Sequence, residues 1–178
     1  MLMQRLGIDF GCDSPDIDET ADNHENPEEL VLRLAETKAT HVGRRHQQAI
    51  VIGSDQVSVC KQEILGKPGN REKAILQLKS LSGESVVFYT GLCVVNTGTG
   101  KITRNCSTNI VHFRELTARE IENYVDKEQP FDCAGAFKSE SLGITLMSKM
   151  EGDDPTALIG LPLIKLSEML RSEGIALP

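Results

Sequence analysis

The sequence predicts an α/β fold, a mixed sheet flanked by helices. Three observations predict it. A short apolar run at residues 49–52 and segments that read as strands at 86–95 and 102–113 are spread along the chain. Segments of helical periodicity lie between and around them, each with its own start or stop signal. The two kinds of segment alternate without a strict βαβ period, so the sheet is expected to be mixed. A length of 178 residues suits one domain with room for two lobes.

The elements follow in order. Residues 13–29 mix Asp, Glu, Asn and Pro and read as an acidic loop. The loop feeds a helix: Asn26 is a good N-cap, Pro27 fits the first helical position, and Glu28 and Glu29 suit the positive end of the dipole. Leu30, Val31, Leu34, Ala35 and Val42 form its apolar face, and Arg44 and Arg45 suit its negative end. Residues 49–52 read as a buried strand that Gly53-Ser54-Asp55 breaks, leaving an acidic side chain at the exit. A second helix runs from about Asn70 to Leu81 and stops at Gly83. The strands at 86–95 and 102–113 are joined by the turn Thr97-Gly98-Thr99-Gly100. Thr117 and Glu120 form a capping box that starts a helix through Tyr124. Residues 135–141 read as an irregular loop and 143–150 as a strand. A last helix, from around Leu161 to Arg171, carries Leu163, Leu166 and Leu170 and ends at Gly174.

Composition excludes several classes. Nineteen basic against 26 acidic residues give a net charge of −7, which argues against a basic nucleic-acid surface. No stretch of about 18 apolar residues suggests a membrane span, and no basic segment followed by an apolar run opens the sequence as a secretory signal would. Cys12, Cys60, Cys93, Cys106 and Cys133 are odd in number, far apart and without a Cys-x-x-Cys pair. A disulfide framework or zinc site is not expected, and a reducing cytoplasm fits.

A few residues stand out chemically, each with a plain alternative. Asp55, just after a buried strand, sits where α/β enzymes gather chemistry, or it caps a turn through its own backbone. Lys38 lies on the same helical row as Leu30 and Leu34, so it must either snorkel to water or meet an anion. Lys67, in the rigid Gly66-Lys67-Pro68 corner, can bind phosphate as a point charge or be an exposed turn lysine. Asp18 and Glu19 offer oxygen ligands suited to Mg²⁺ or Mn²⁺, or simply line a solvated loop. Glu140 shares a loop with Lys138, where a surface salt bridge is the plain reading. Other matches fail. Gly98-Thr-Gly-Lys101 lacks the spacing of a P-loop and precedes a strand. Ser58 and Lys61 fit Ser-x-x-Lys, but residues three apart in a strand face opposite sides. His24, His41, His46 and His112 show no ligand spacing and read as non-catalytic.

Taken together, these segments resemble the Maf family of nucleoside triphosphate pyrophosphatases over nearly the whole chain. The resemblance is carried by Asp18-Glu19-Thr20, the 34–39 segment around Lys38, Ile52 to Val57, Gly66-Lys67-Pro68, Ser82-Gly83, Phe88 to Gly91, the 131–141 segment, and Met150 to Asp153 with Gly160 to Leu163. No one motif is specific; their order and spacing are. Gln56 beside Asp55, and Glu140 in Lys138-Ser139-Glu140, are similar to the branch that acts on 7-methyl-GTP; the branch acting on dTTP and UTP has Thr and Gln there. The resemblance implies a cytoplasmic, metal-dependent enzyme with an elongated Maf/ITPase-like fold, two lobes and a cleft between them. It also implies cleavage between the α- and β-phosphates of a nucleoside triphosphate. Family members open with a strand and a Ser-x-Ser-Pro-x-Arg-Arg phosphate loop, whereas residues 1–6 here already resemble the helix after that loop. The chain is therefore read as a single Maf-like domain over residues 1–178, N-terminally truncated relative to the family. A start placed too late, a shortened chain and an inactive member are the three readings of that departure.

On this reading Lys38 and Lys67 hold phosphates, Glu19 and Asp55 hold a divalent cation, and Asp55 is the general base. Gln56 and Glu140 read the base, since a carboxylate suits a cationic methylated guanine. A two-fold dimer is the default assembly; no nucleic acid or membrane partner is expected. Rival readings are a catalytically impaired nucleotide-binding regulator of cell division, an aspartyl-phosphate phosphatase, and a non-enzymatic interaction domain. The phosphatase would want a second Asp where Val57 stands, and the interaction domain leaves Lys38 unexplained.

Overall fold

The computed structural model describes residues 2–22 and 25–177. Met1, Asn23, His24 and Pro178 lie outside the described residues, and with them the reading of His24. The elements are a 3₁₀ turn at Leu2–Leu6, α1 (Pro27–Gly43), β1 (Ile50–Cys60), β2 (Glu63–Leu65), α2 (Arg71–Leu81), β3 (Ser85–Asn96), β4 (Lys101–Phe113), α3 (Ala118–Glu128), β5 (Met147–Glu151) and α4 (Leu163–Ser172), with short 3₁₀ turns between the last elements. The strands form one open sheet in the order β2-β1-β3-β4-β5. The α/β class stands; the sheet is antiparallel, so the mixing lies in alternating helices and strands and not in strand direction.

Contacts divide the chain into two compact units. The first comprises Met1–Gln56, Tyr89–Ser107 and Asp154–Pro178; the second comprises Val57–Phe88 and Thr108–Asp153. In the first, the period-2 alternation of β1 sorts its side chains. Val51 packs with Ala35 and Ala39 of α1, while Ile50 and Ile52 pack with Leu163, Leu166 and Leu170 of α4. In the second, α2 and α3 pack together, and Phe137 lies against Phe88 and Phe113 with ring centroids 6.0 and 5.1 Å away.

Helix starts follow the local chemistry read from the sequence. Asn26 accepts from the Glu29 amide and Glu29 returns the bond, completing a capping box at α1. Asn70 caps α2 and Thr117 with Glu120 caps α3. The 143–150 strand is shorter than expected: Leu142–Leu146 is a 3₁₀ turn and the strand begins at Met147. Gly143 explains it, because its amide bonds the Lys138 carbonyl and a Cβ there would lie 2.2 Å from that oxygen. The hairpin to β2 has no sequence signal, since Lys61 and Gln62 take positive φ (50° and 72°) without Gly, Asn or Asp. Lys61 sits in that turn and pairs with Glu84, so Ser58 and Lys61 do not act together.

The largest correction concerns residues 53–55. The strand does not break there; β1 runs through to Cys60. Its buried positions move from Val51 and Gly53 to Ser58 and Cys60, and Gly53 is small for packing and not for turning. A Cβ on Gly53 would lie 2.2 Å from the Ala35 carbonyl, and one on Gly91 of β3 would lie 2.2 Å from the Val31 carbonyl. The backbone of α1 thus rests directly on β1 and β3. Gly53→Ala should destabilise the fold by about 2 kcal/mol or more, the cost of an overpacked rigid contact. A urea titration checks this; an unchanged midpoint would show that the contact can relax.

Candidate active site

Close packing of α1 on β1 sets the register of the first unit's polar residues. Gly53 lies against Ala35 and Ala39, and two residues further along the same face of β1 stands Asp55. Lys38 reaches it from α1: Nζ is 2.5 Å from Asp55 Oδ1 and 2.7 Å from Glu19 Oε1. The Lys38 side chain is 19% exposed and that of Asp55 11%. Lys38 therefore meets anions and does not snorkel. Burial works against its charge, but the hydrogen bonds to Asp55 and Glu19 outweigh burial and raise its pKa above the ordinary 10.5. It is a fixed cation. Asp55 lies mid-strand, so the turn-capping reading does not hold.

Glu19 is delivered by a loop that is pinned, not merely solvated. Arg33 of α1 forks onto Glu25, with Nε 2.7 Å from Oε1 and Nη2 2.8 Å from Oε2, and Nη2 also donates to the Thr20 carbonyl at 3.0 Å. The pairing lowers the Glu25 pKa and raises that of Arg33. Asp18 accepts from the amide and hydroxyl of Thr20, closing an Asx turn beside Glu19. Arg33 had no distinguishing signal in the sequence; its partners lie in a loop whose course no periodicity predicts.

Gln56 faces the opposite side of β1 from Asp55. Its Nε2 donates to Thr90 Oγ1 at 2.9 Å and to the carbonyls of Ala157 at 2.8 Å and Leu158 at 3.3 Å. Its amide protons are thus committed, and what it can offer a ligand is Oε1. Ser54, on the same face, donates to the Gly91 and Gly160 carbonyls at 2.7 and 2.8 Å. Thr90 and Ser54 escaped the sequence reading, though strand alternation through 50–60 would have paired Ser54 with Gln56.

Lys67 and Glu140 belong to the second unit. The corner that carries Lys67 is anchored: Gln77 donates to the Gly66 carbonyl at 3.1 Å, and the amide of Gly69, at φ 74°, donates to the Phe131 carbonyl at 2.9 Å. Lys67 itself is exposed. Glu140 is also exposed, in a loop fastened to the end of α3. The Lys138 amide donates to the Tyr124 hydroxyl at 3.0 Å, and the Leu142 amide to Glu128 Oε2 at 3.1 Å. Lys138 is paired with Glu128, not with Glu140 as the plain reading had it. Burial opposes ionisation of Glu128, but hydrogen bonds from Ser141, Leu142 and Lys138 prevail and lower its pKa. Of the six candidate residues, then, Lys38, Asp55 and Glu19 are joined by direct contact. Gln56 turns away from them along the same strand, and Lys67 and Glu140 are fixed locally in the other unit.

Other candidates fall away. His46 pairs with Asp13, and His112 bridges Ser85 and Glu151. Cys60, Cys93, Cys106 and Cys133 are free thiols; burial pushes the Cys93 thiol up to about 12 and that of Cys106 up to about 11, so both remain protonated. Among the described residues no group of three or more His, Cys, Asp or Glu side chains is placed to hold a metal. Glu19 Oε1 and Asp55 Oδ1 nonetheless come together at one point, the Lys38 ammonium. Two carboxylates, completed by water and ligand phosphate, are a donor set that fits Mg²⁺ or Mn²⁺.

Known proteins resemble the chain over almost its whole length. A family model described as Maf-like protein matches residues 1–173. Several relatives carry the name 7-methyl-GTP pyrophosphatase. The one from Nitrosococcus oceani is 54% identical over 173 residues, covering 97% of this chain and 87% of its own length. That from Colwellia psychrerythraea is 51% identical, covering 98% and 87%. That from Idiomarina loihiensis is 54% identical, covering 98% and 89%. With a family model matched over almost every residue and relatives half identical throughout, the chain belongs to the Maf-like protein family.

Proposed function

We propose that the protein hydrolyses the α–β phosphoanhydride of 7-methyl-GTP, giving the nucleoside monophosphate and pyrophosphate. The observation that carries this reading is the convergence of Asp55, Glu19 and a permanently charged Lys38 in a Maf-like chain half identical to relatives bearing that activity as their name. Phosphoanhydride hydrolysis asks a protein mainly for positioning and charge neutralisation. Lys38 and Lys67 supply point charges for the phosphate oxygens. A carboxylate oxygen of Asp55 takes the proton of the attacking water as its oxygen bonds to the α-phosphorus and pyrophosphate departs. Such a base contributes about 10²–10⁴-fold. Glu19 and Asp55 are the residues that would hold Mg²⁺ or Mn²⁺, which when bound polarises the phosphoryl group and offsets its charge.

Glu140 is the residue we assign to base recognition, because a carboxylate attracts the cationic 7-methylguanine ring and accepts from its N–H edge. Glu140→Gln should lower the preference for 7-methyl-GTP over UTP by roughly tenfold, the scale of one charge-assisted contact. The ratio of kcat/KM for the two nucleotides measures it, and an unchanged ratio removes Glu140 from that role. We place the enzyme in the cytoplasm, as a two-fold dimer by the commonest symmetry. No helix among the described residues is long and apolar enough to cross a membrane. Pyrophosphate release from a panel of nucleotides with Mg²⁺ or Mn²⁺ tests the function itself: release greatest from 7-methyl-GTP supports it, and binding without release contradicts it.

A further inference from the structure

The loop that carries Glu140 is fastened on both sides by one carboxylate. The chain enters it through Gly135 and Ala136, both buried and at positive φ (70° and 53°), and through Phe137, packed against Phe88 and Phe113. The Lys138 carbonyl then accepts from the Gly143 amide at 3.1 Å and closes the loop, with exposed Glu140 between them. Glu128, whose side chain is 13% exposed, grips both sides of that closure. Its carboxylate accepts from the Leu142 amide at 3.1 Å and from the Ser141 hydroxyl, and it faces Lys138 Nζ at 3.4 Å. Lys138 Nζ also donates to the Glu128 carbonyl at 3.1 Å. Lys138 is the cation nearest to Glu140 in sequence, and it is held on Glu128 instead. An ammonium two residues away could otherwise swing onto Glu140 and neutralise it.

We propose that Glu128 is a positioning residue for nucleotide selection: by holding the Lys138 ammonium and the end of the loop, it leaves the Glu140 carboxylate charged and presented to a cationic purine ring. The proposal rests on the reading of Glu140 as a residue that meets the base. The device works through charge. A ring that carries a positive charge gains more from a nearby carboxylate than a neutral guanine does, and a Glu140 paired with Lys138 would lose that difference. Glu128 should therefore matter for preferring the methylated over the unmethylated nucleotide, and not for holding the triphosphate as such.

Equilibrium titration with 7-methyl-GTP and GTP, which share their triphosphate and differ in ring charge, tests this without requiring turnover. Glu128→Gln keeps the shape and can still accept from the Leu142 amide, but no longer holds Lys138 by charge. It should lower the ratio of the two affinities roughly threefold, the scale of an exposed ion pair, with GTP bound within about twofold of the parent. Adding Lys138→Met should restore the ratio, because no cation is left in the loop to reach Glu140. On a Glu140→Gln background, Glu128→Gln should change nothing further, since it acts through Glu140. An unchanged ratio in Glu128→Gln, or one that stays low when Lys138→Met is added, would overturn the proposal. Glu140→Gln measured alone keeps the two readings apart. If it leaves the ratio unchanged, the base reading fails and the proposal with it. A lowered ratio in Glu140→Gln beside an unchanged one in Glu128→Gln defeats the positioning role alone.

Discussion

Asp55→Asn should abolish turnover, by about 10²–10⁴-fold in kcat, while 7-methyl-GTP still binds. The substitution changes shape hardly at all. It removes the basic oxygen and the negative charge that faces Lys38 at 2.5 Å. Because the packing of Gly53 on α1 and the hydrogen bonds of Ser54 and Gln56 are untouched, the fold should persist. Pyrophosphate release gives the rate and equilibrium titration with the nucleotide gives the affinity. Normal turnover would take Asp55 out of the reaction, and the convergence with Lys38 would then be only a structural ion pair.

Lys38→Met should harm both stability and activity. The ammonium is the bridge between Asp55 and Glu19, and Asp55 is largely shielded from water. Removing the cation leaves a poorly solvated carboxylate beside a like charge, which costs on the order of 2 kcal/mol. For a chain of this size that is a drop of roughly 4–8 °C in Tm. Losing a phosphate-binding charge should also lower kcat/KM by roughly 100-fold. Lys38→Arg keeps the charge but exchanges a compact ammonium for a planar fork, so it should recover stability better than activity. Unchanged Tm and kcat/KM in Lys38→Met would mean that Lys38 is a bystander.

The parts of the fold written in local chemistry were legible. Asn26 with Glu29, Asn70, and Thr117 with Glu120 mark three helix starts to the residue, because a cap is a contact between neighbours. Lys38 could be singled out because a charge on an apolar row demands an explanation, and the answer is Asp55. What sequence could not report were contacts between distant segments. Gly53 reads as a breaker, yet it is small because α1 lies on it, and only the packed helix reveals that. The pairing of Arg33 with Glu25 and that of Lys138 with Glu128 depend on the paths of loops. The facing of Gln56 follows from strand alternation once β1 is known to continue beyond Ile52. The assignment of Gln56 and Glu140 came through family resemblance, not through spacing.

The most direct test of the central claim is where the oxygen of water ends up. Hydrolysis of 7-methyl-GTP in ¹⁸O-labelled water should place the label in 7-methyl-GMP and leave pyrophosphate unlabelled, as attack at the α-phosphorus requires. Label in pyrophosphate, or release of labelled orthophosphate, would contradict it.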